Sequence, residues 1–321
     1  MRIYRHADLP PEDRGAVVAI GNFDGVHRGH QMVIREAAAV AREEGAKLAV
    51  LSFEPHPRRI FRPDDPPFRL TPFRLRARLL AELGIDIHVV LHFDEAFSRI
   101  SAESFVEDIL ARGLATRHVA IGYDFCFGHK RRGNAESLLG FGRQWGFGVT
   151  VVTQAADETG GTYSSSRIRE LLSDGRPREA ATLLGRPWEI AGRVEAGDRR
   201  GRQLGYPTAN LRLDDFLRPA YGVYAVRAAL DEDAETGDGT GVAPAPAWID
   251  GVANLGVRPM WESAEPLLEA HLFDFAGDLY GRHLRVQIVE RLRGERRFDS
   301  VEALIAQMDR DSHAARAALA W

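Results

Sequence analysis

Residues 17–30 read VVAIGNFDGVHRGH, a short apolar run, a glycine-punctuated turn and two histidines that open a stretch with helical periodicity. Four consecutive apolar residues, Val17–Ile20, are too few and too uniform for a half-exposed strand. They predict a central strand of a parallel sheet, covered on both faces. In open α/β sheets ligands bind beyond the carboxyl ends of such strands, where a helix N-terminus offers unpaired N–H groups and partial positive charge to an anion. Gly21, Asn22, Phe23, Asp24 and Gly25 occupy that position, and phosphate is the natural guest. His27 and His30 are three apart, so a first helical turn puts both within reach of the same phosphate oxygens. The run lacks G-x-G-x-x-G, and no Lys-Ser/Thr pair follows the glycines, which excludes a dinucleotide fingerprint and a P-loop. A helix-capping histidine pair and a zinc site are the other readings of the two imidazoles.

The same alternation continues on the C-terminal side. Residues 31–44 are alanine-rich at helical spacing with Gly45 as a C-cap, and 48–53 form the next buried strand, completing a right-handed βαβ crossover. Strands at 87–93, 118–123 and 149–153 and helices at 101–112 and 136–145 extend it to a doubly wound α/β sheet. FEPHPRRIF (53–61) puts His56 and Arg58 on a proline-stiffened loop at a strand's carboxyl end, or forms a surface turn. GYDFCFGHKRRGN (122–134) sets Asp124, Phe125 and Phe127 on a cation-rich loop suited to a flat aromatic ligand with an anionic tail; the two rings fit a core equally well. Ser164–Ser166 cap a helix whose first turn carries Arg167 and Arg169, an unfavourable place for cations unless an anion lies there. Ser164, Ser166, Arg167 and Arg169 thus read as a second phosphate clamp, or as part of a solvated helix.

The 321 residues are 45% hydrophobic and 27% charged, enough for two domains with cores of their own. A net charge of −4 gives no basic field, so nucleic acid is excluded as a partner. Cys126 is the sole cysteine, which rules out an intramolecular disulfide and a Cys-rich zinc cluster. No signal run or spanning segment is apparent, so a cytoplasmic protein without membrane attachment is expected. Lys47 and Lys130 are the only lysines, and phosphoryl transfer in the second half has to rely on arginine, backbone N–H groups and metal.

SDGRPREAATLLGRP (173–187), with Gly175, Gly185 and Pro187, marks the boundary between domains 1–185 and 186–321. Beyond it short strands at 188–193, 221–229, 248–257, 267–273 and 284–292 suggest an antiparallel barrel, followed by an amphipathic helix over 301–308. Residues 231–247 lack large apolar side chains and read as a hairpin insertion. In GRQLGYPTAN (201–210), Thr208 and Asn210 are two apart in extended chain, so their oxygens face one side and can ligate a hard cation such as Mg²⁺. LLEAHLFDFAGDLYG (267–281) puts Glu269 and His271 on one strand face; Glu269 is a candidate general base, or a solvent-facing strand residue.

H-x-G-H resembles the signature of nucleotidyltransferases. Together with FEPHPR, GYDFCFG and SSSRIR in this order, GNFDGVHRGH resembles the adenylyltransferase module of bacterial bifunctional riboflavin kinase/FMN adenylyltransferases, the prokaryotic FAD synthetases. PTAN, GVANLGVRP and EAHLFDF resemble the riboflavin kinase module of the same family. The resemblance implies a Rossmann-like nucleotidyltransferase domain followed by a small six-stranded antiparallel β-barrel with a terminal helix. It implies phosphorylation of riboflavin to FMN and adenylation of FMN to FAD, with ATP, Mg²⁺ and release of pyrophosphate. His27 and His30 would offset transition-state charge, and Ser166 and Arg167 would hold the pyrophosphate. Asn22, Asp24, His56 and Asp124 would contact nucleotide, flavin or metal. Thr208 and Asn210 would serve Mg²⁺ and ATP, and the 197–205 segment with Gly201 and Gly205, leading to Pro207, the phosphates. Glu269 would activate the riboflavin 5′-hydroxyl. Ser166 replaces the usual threonine, Cys126 stands where arginine is frequent, and Met260 replaces a threonine after Arg-Pro. A flavin carrier without catalysis and a nucleotidyltransferase for another acceptor are the competing readings. Oligomeric state is left open.

Overall fold

The computed structural model describes residues 1–153, 160–195, 205–231, 247–257 and 265–320. Packing divides the chain into two units: Met1–Pro66 with Phe73–Ser164, and Pro67–Pro72 with Ser165–Trp321.

The first unit is built on a parallel sheet of β1 (Arg2–Tyr4), β2 (Val17–Ile20), β3 (Leu48–Glu54), β4 (Ile87–His92), β5 (His118–Gly122) and β6 (Gly148–Val152), in the order β1-β4-β3-β2-β5-β6. All four residues of β2 are buried, as a strand covered on both faces requires. β2 lies between β3 and β5, the place where strand order reverses, so the turn after β2 opens at the topological switch point. α1 (Arg28–Glu43) buries Val33, Ile34, Ala37 and Ala41 along one stripe and begins before the expected residue 31 because His27 caps it. Short α2 (Pro57–Phe61) stands where the sequence suggested loop, and α3 (Phe73–Glu82) follows it in a stretch to which the sequence reading assigned no element. A single turn, α4 (Ala102–Ser104), widens into a π-type helix over Phe105–Gly113. α5 (Ala135–Trp145) opens on a capping box between Asn134 and Ser137 and ends at Gly146, in the left-handed conformation.

The second unit is an antiparallel sheet of β7 (Trp188–Arg193), β8 (Ala209–Arg212), β9 (Gly222–Leu230), β10 (Ile249–Val257), β11 (Pro266–Leu272) and β12 (His283–Arg293), ordered β7-β12-β9-β10-β11-β8. The Glu195 N–H donates to the Asn210 carbonyl at 2.9 Å, bringing the chain just after β7 against β8 and curling the sheet toward a barrel. Along β11, Leu268, Ala270 and Leu272 face inward while Leu267, Glu269 and His271 face outward. α6 (Ser165–Ser173) and α7 (Pro177–Leu184) belong to this unit, as does α8 (Val301–Leu319). The sequence expectation ended α8 at residue 308. It continues because Asp311, buried inside the helix, accepts from Arg293 Nη2 at 2.7 Å and from Gln307 Nε2 at 2.8 Å, while Ala315 and Leu319 join the core.

A piece of the first half completes the second unit. Arg69 donates its N–H to Asp215 at 3.2 Å and accepts from Leu217 at 2.8 Å, and the buried Trp188 indole donates to the Leu70 carbonyl at 2.8 Å. Trp188→Phe removes that donor and leaves a buried carbonyl without it, so urea unfolding should show a loss of about 1–3 kcal/mol. In the first unit, Ser52 Oγ and His88 Nε2 lie 2.8 Å apart in the core. Burial, aided by the charges of Arg76 and Arg5, lowers the His88 pKa to about 3. The unfolded chain, with its imidazole near 6.5, therefore takes up a proton that the folded chain refuses. Stability is full above that value and falls toward pH 3, by roughly 1.4 kcal/mol per pH unit for this group. Urea titrations between pH 7 and 4 should show a shallower slope for His88→Gln than for the parent chain.

Candidate active sites

The turn from Gly21 to His27 joins β2 to α1 in three left-handed steps, at Phe23 (φ 51°), Gly25 (φ 91°) and Val26 (φ 42°). A β-branched residue rarely accepts that conformation, and Val26 is held in it by burial, by its N–H bond to Phe23 and by Gln31 Nε2 on its carbonyl at 2.9 Å. The compact turn aims the α1 N-terminus beyond the sheet edge. His27, 5% exposed, accepts the His30 N–H on Nδ1 at 3.3 Å. That bond assigns the proton of a neutral His27 to Nε2. The His30 ring stacks on it, centroids 3.6 Å apart and planes 18° apart, with the Phe23 edge behind His30. Gly29 leaves the necessary room: a Cβ there would meet the His27 ring and the Tyr163 Cβ at 3.2 Å. The two histidines thus cap the helix and stack on each other, and no group of three or more His, Cys, Asp or Glu poised for a metal occurs among the described residues.

Arg76, which the sequence reading missed, braces this turn. Its fully buried side chain pairs with Glu54 at 2.7 Å and donates to the Asn22 carbonyl at 3.3 Å, tying the end of β3 to the turn after β2. Only its place in an arginine-rich helix could have signalled it, and nothing in that pattern separates a buried arginine from surface ones. Asn22 Oδ1 is buried with no hydrogen-bond partner among the described residues, an acceptor aimed at a missing donor. Asp24 is buried beside it in sequence.

His56 begins α2 rather than riding a loop: its Nδ1 accepts from the Arg58 N–H at 3.1 Å, with Pro57 at the first helical position. In the loop after β5, Asp124 is exposed and Phe125 half-buried. Phe127 is 7% exposed and packs on Phe105 at 5.4 Å, so its ring serves the core, while Phe125 stacks over it at 5.6 Å. Cys126 Sγ reaches the Asp124 carbonyl at 3.6 Å. Ser164 closes the first unit; Ser166, exposed, and Arg167 lie in the first turn of α6 in the second. Arg169 donates to the Phe68 carbonyl at 2.8 Å and lies over the Phe68 ring, so it binds the chain's own segment.

On the barrel, antiparallel register sets Asn210 opposite Glu269 and Glu269 opposite Asn254, a polar row across β8, β11 and β10. Asn210 is 4% exposed and its Oδ1 has no hydrogen-bond partner among the described residues. Thr208 precedes it, half-buried, after the exposed Gly205 and Pro207. Gly201, most of the 197–205 segment, Met260 and nearly all of the 231–247 insertion lie outside the described residues.

The FAD synthetase family matches residues 9–167 and the riboflavin kinase family residues 184–319. The chain is 40% identical over 314 residues to the bifunctional riboflavin kinase/FMN adenylyltransferase of Escherichia coli (strain K12), covering 98% of this chain and 95% of that one. Its counterpart from Pseudomonas fluorescens is 42% identical over 311 residues, covering 97% and 95%. A crystal structure from Streptococcus pneumoniae, described as a macrolide-efflux protein, matches 99% of this chain and 98% of its own with a TM-score of 0.84 and 30% identity. Among the described residues of this chain, no helix is long and apolar enough to cross a membrane. Gly29→Ala should displace the His27 ring and break its bond to the His30 N–H, lowering stability by about 0.5–1.5 kcal/mol in urea unfolding.

Proposed function

The chain belongs to the family of bifunctional riboflavin kinase/FMN adenylyltransferases, and from that premise we propose how its residues perform the two reactions. It is an enzyme with an N-terminal FAD synthetase domain and a C-terminal riboflavin kinase domain. Riboflavin and ATP give FMN, and FMN with a second ATP gives FAD and pyrophosphate. The activities divide between residues 1–185 and 186–321, a division supported by the spans of the two family matches. Its dependence on ATP supports a cytoplasmic location.

In the first reaction site no protein nucleophile is needed. An oxygen of the FMN phosphate attacks the α-phosphorus of ATP, and the bond to the β-phosphate oxygen breaks. The protein's task is alignment and charge stabilisation. The observation that supports this reading is the His27–His30 pair at the start of α1, with His27 Nδ1 held by the His30 N–H and the two rings stacked, and this pair offsets the charge that the phosphate oxygens gain. The α1 N-terminus adds the partial positive charge of its dipole. Asn22 and Asp24 contact the nucleotide, and Asp124 and Phe125 the flavin.

In the second, the row Asn210–Glu269–Asn254 carries the argument. Glu269 takes the proton of the riboflavin 5′-hydroxyl as that oxygen bonds to the γ-phosphorus and ADP leaves. Asn210 Oδ1, a buried acceptor without a donor among the described residues, fits a hard cation, and Thr208 Oγ1 stands two residues before it. These two oxygens would hold Mg²⁺, which when bound with ATP neutralises phosphate charge.

With riboflavin, ATP and Mg²⁺ supplied and the flavins separated chromatographically over time, Glu269→Ala should lower FMN formation by about 10²-fold or more while FMN adenylation persists. His30→Ala should do the reverse, by about 10²–10³-fold. A folded variant that loses both activities, or neither, contradicts the two-site assignment.

A further inference from the structure

The ladder between β8 and β11 stops at Ala209 opposite Ala270. One step farther, Thr208 comes abreast of His271, and before it stands Pro207, which has no N–H with which to extend the ladder. Backbone pairing therefore gives out at the point where Thr208, one of the two residues assigned to the metal and nucleotide, has to be held.

A side chain takes over there. His271 lies on the outer face of β11, two residues from Glu269. Its Nδ1 is 2.9 Å from the Pro207 carbonyl. A carbonyl only accepts, so Nδ1 carries the proton and the imidazole supplies the donor that the ladder lacks. The Tyr206 ring packs against the imidazole at 4.9 Å, and its hydroxyl is hydrogen-bonded to Asp309 of α8. Phe273 meets the imidazole edge-on at 6.0 Å, with the Arg316 guanidinium over the far ring. Residues 206 and 207 are thus gripped from β11 and from α8, immediately before Thr208.

We infer that His271 is a positioning residue of the kinase reaction: it fixes Pro207 so that Thr208 presents its hydroxyl beside Asn210 and Glu269 before the metal–nucleotide complex arrives. The inference rests on the assignment of Thr208, Asn210 and Glu269 to that reaction. Without the imidazole, ATP and its metal have to order the Tyr206–Thr208 backbone themselves, and that cost is charged against binding rather than against the chemical step.

The test uses the full chain with His271→Phe, which keeps an aromatic ring and removes the donor, and His271→Asn, whose amide N–H can reach the same carbonyl. Hydrogen exchange read by mass spectrometry on the ligand-free proteins should show the Tyr206 and Thr208 amides of His271→Phe exchanging about tenfold faster than the parent. In the riboflavin kinase assay the same variant should raise the KM for ATP about three- to tenfold with kcat within about twofold. His271→Asn should restore both. FMN adenylation, unchanged throughout, reports that each variant is folded. Parent-like exchange and KM in His271→Phe overturn the inference while leaving the site assignment in place, as does an Asn variant as impaired as the Phe variant. A Glu269→Ala chain that still phosphorylates riboflavin overturns both.

Discussion

The His27 ring holds its own helix by one nitrogen, and the geometry of the first site follows from that commitment. With Nδ1 engaged by the His30 N–H, the ring plane is set and His30 has a surface on which to stack. The turn that delivers His27 takes three left-handed residues to do so, one of them a buried valine. Such a conformation persists only when its surroundings over-determine it. The surroundings here are Gln31 on the Val26 carbonyl, Arg76 on the Asn22 carbonyl and the glycine at position 29 that leaves the ring its space. Two of these supports come from α1 itself and the third from α3, so the motif needs a brace from outside its own ten residues.

The barrel reaches precision by register instead. Side chains alternate across β11, and a slip of one residue would turn Glu269 inward and Leu268 and Ala270 out. The Glu195–Asn210 bond and the inward row of apolar residues oppose that slip. A carboxylate on an outer sheet face is ordinary in isolation. Its setting between Asn210 and Asn254, the first a buried amide whose Oδ1 has no donor among the described residues, gives it chemical company.

The sequence made the periodic parts legible. β2 reads as a two-face strand because nothing in Val17–Ile20 is polar, and β7 reads correctly over Trp188–Arg193. What stayed hidden lacked a local signal. β1 is three residues of mixed character whose pairing with β4 is entirely non-local. α3 carries Arg76 on its buried face, so its apolar stripe is interrupted by the charge that braces the site. Asp311 does the same to α8. Among the site residues, spacing alone brought His27 and His30 together. Phe127 could not be separated from Phe125 by pattern, since both are aromatic and only the fold decides which enters the core. Arg169 looked like a free cation at a helix start because its partner, Phe68, lies 101 residues away.

The indole of Trp188 and the carbonyl of Leu70 are separated by 118 residues of chain. During synthesis the sheet of the first unit can close on residues that emerge in sequence, with the short Pro67–Pro72 stretch set aside. The barrel has no such independence. It has to retrieve a stretch made long before its own first strand, and until it does, Trp188 has no acceptor and Asp215 and Leu217 no backbone neighbour. The later unit is thus bound to finish after the earlier one, and a gene fragment encoding the barrel alone would specify a sheet that waits for a strand-like piece it never receives.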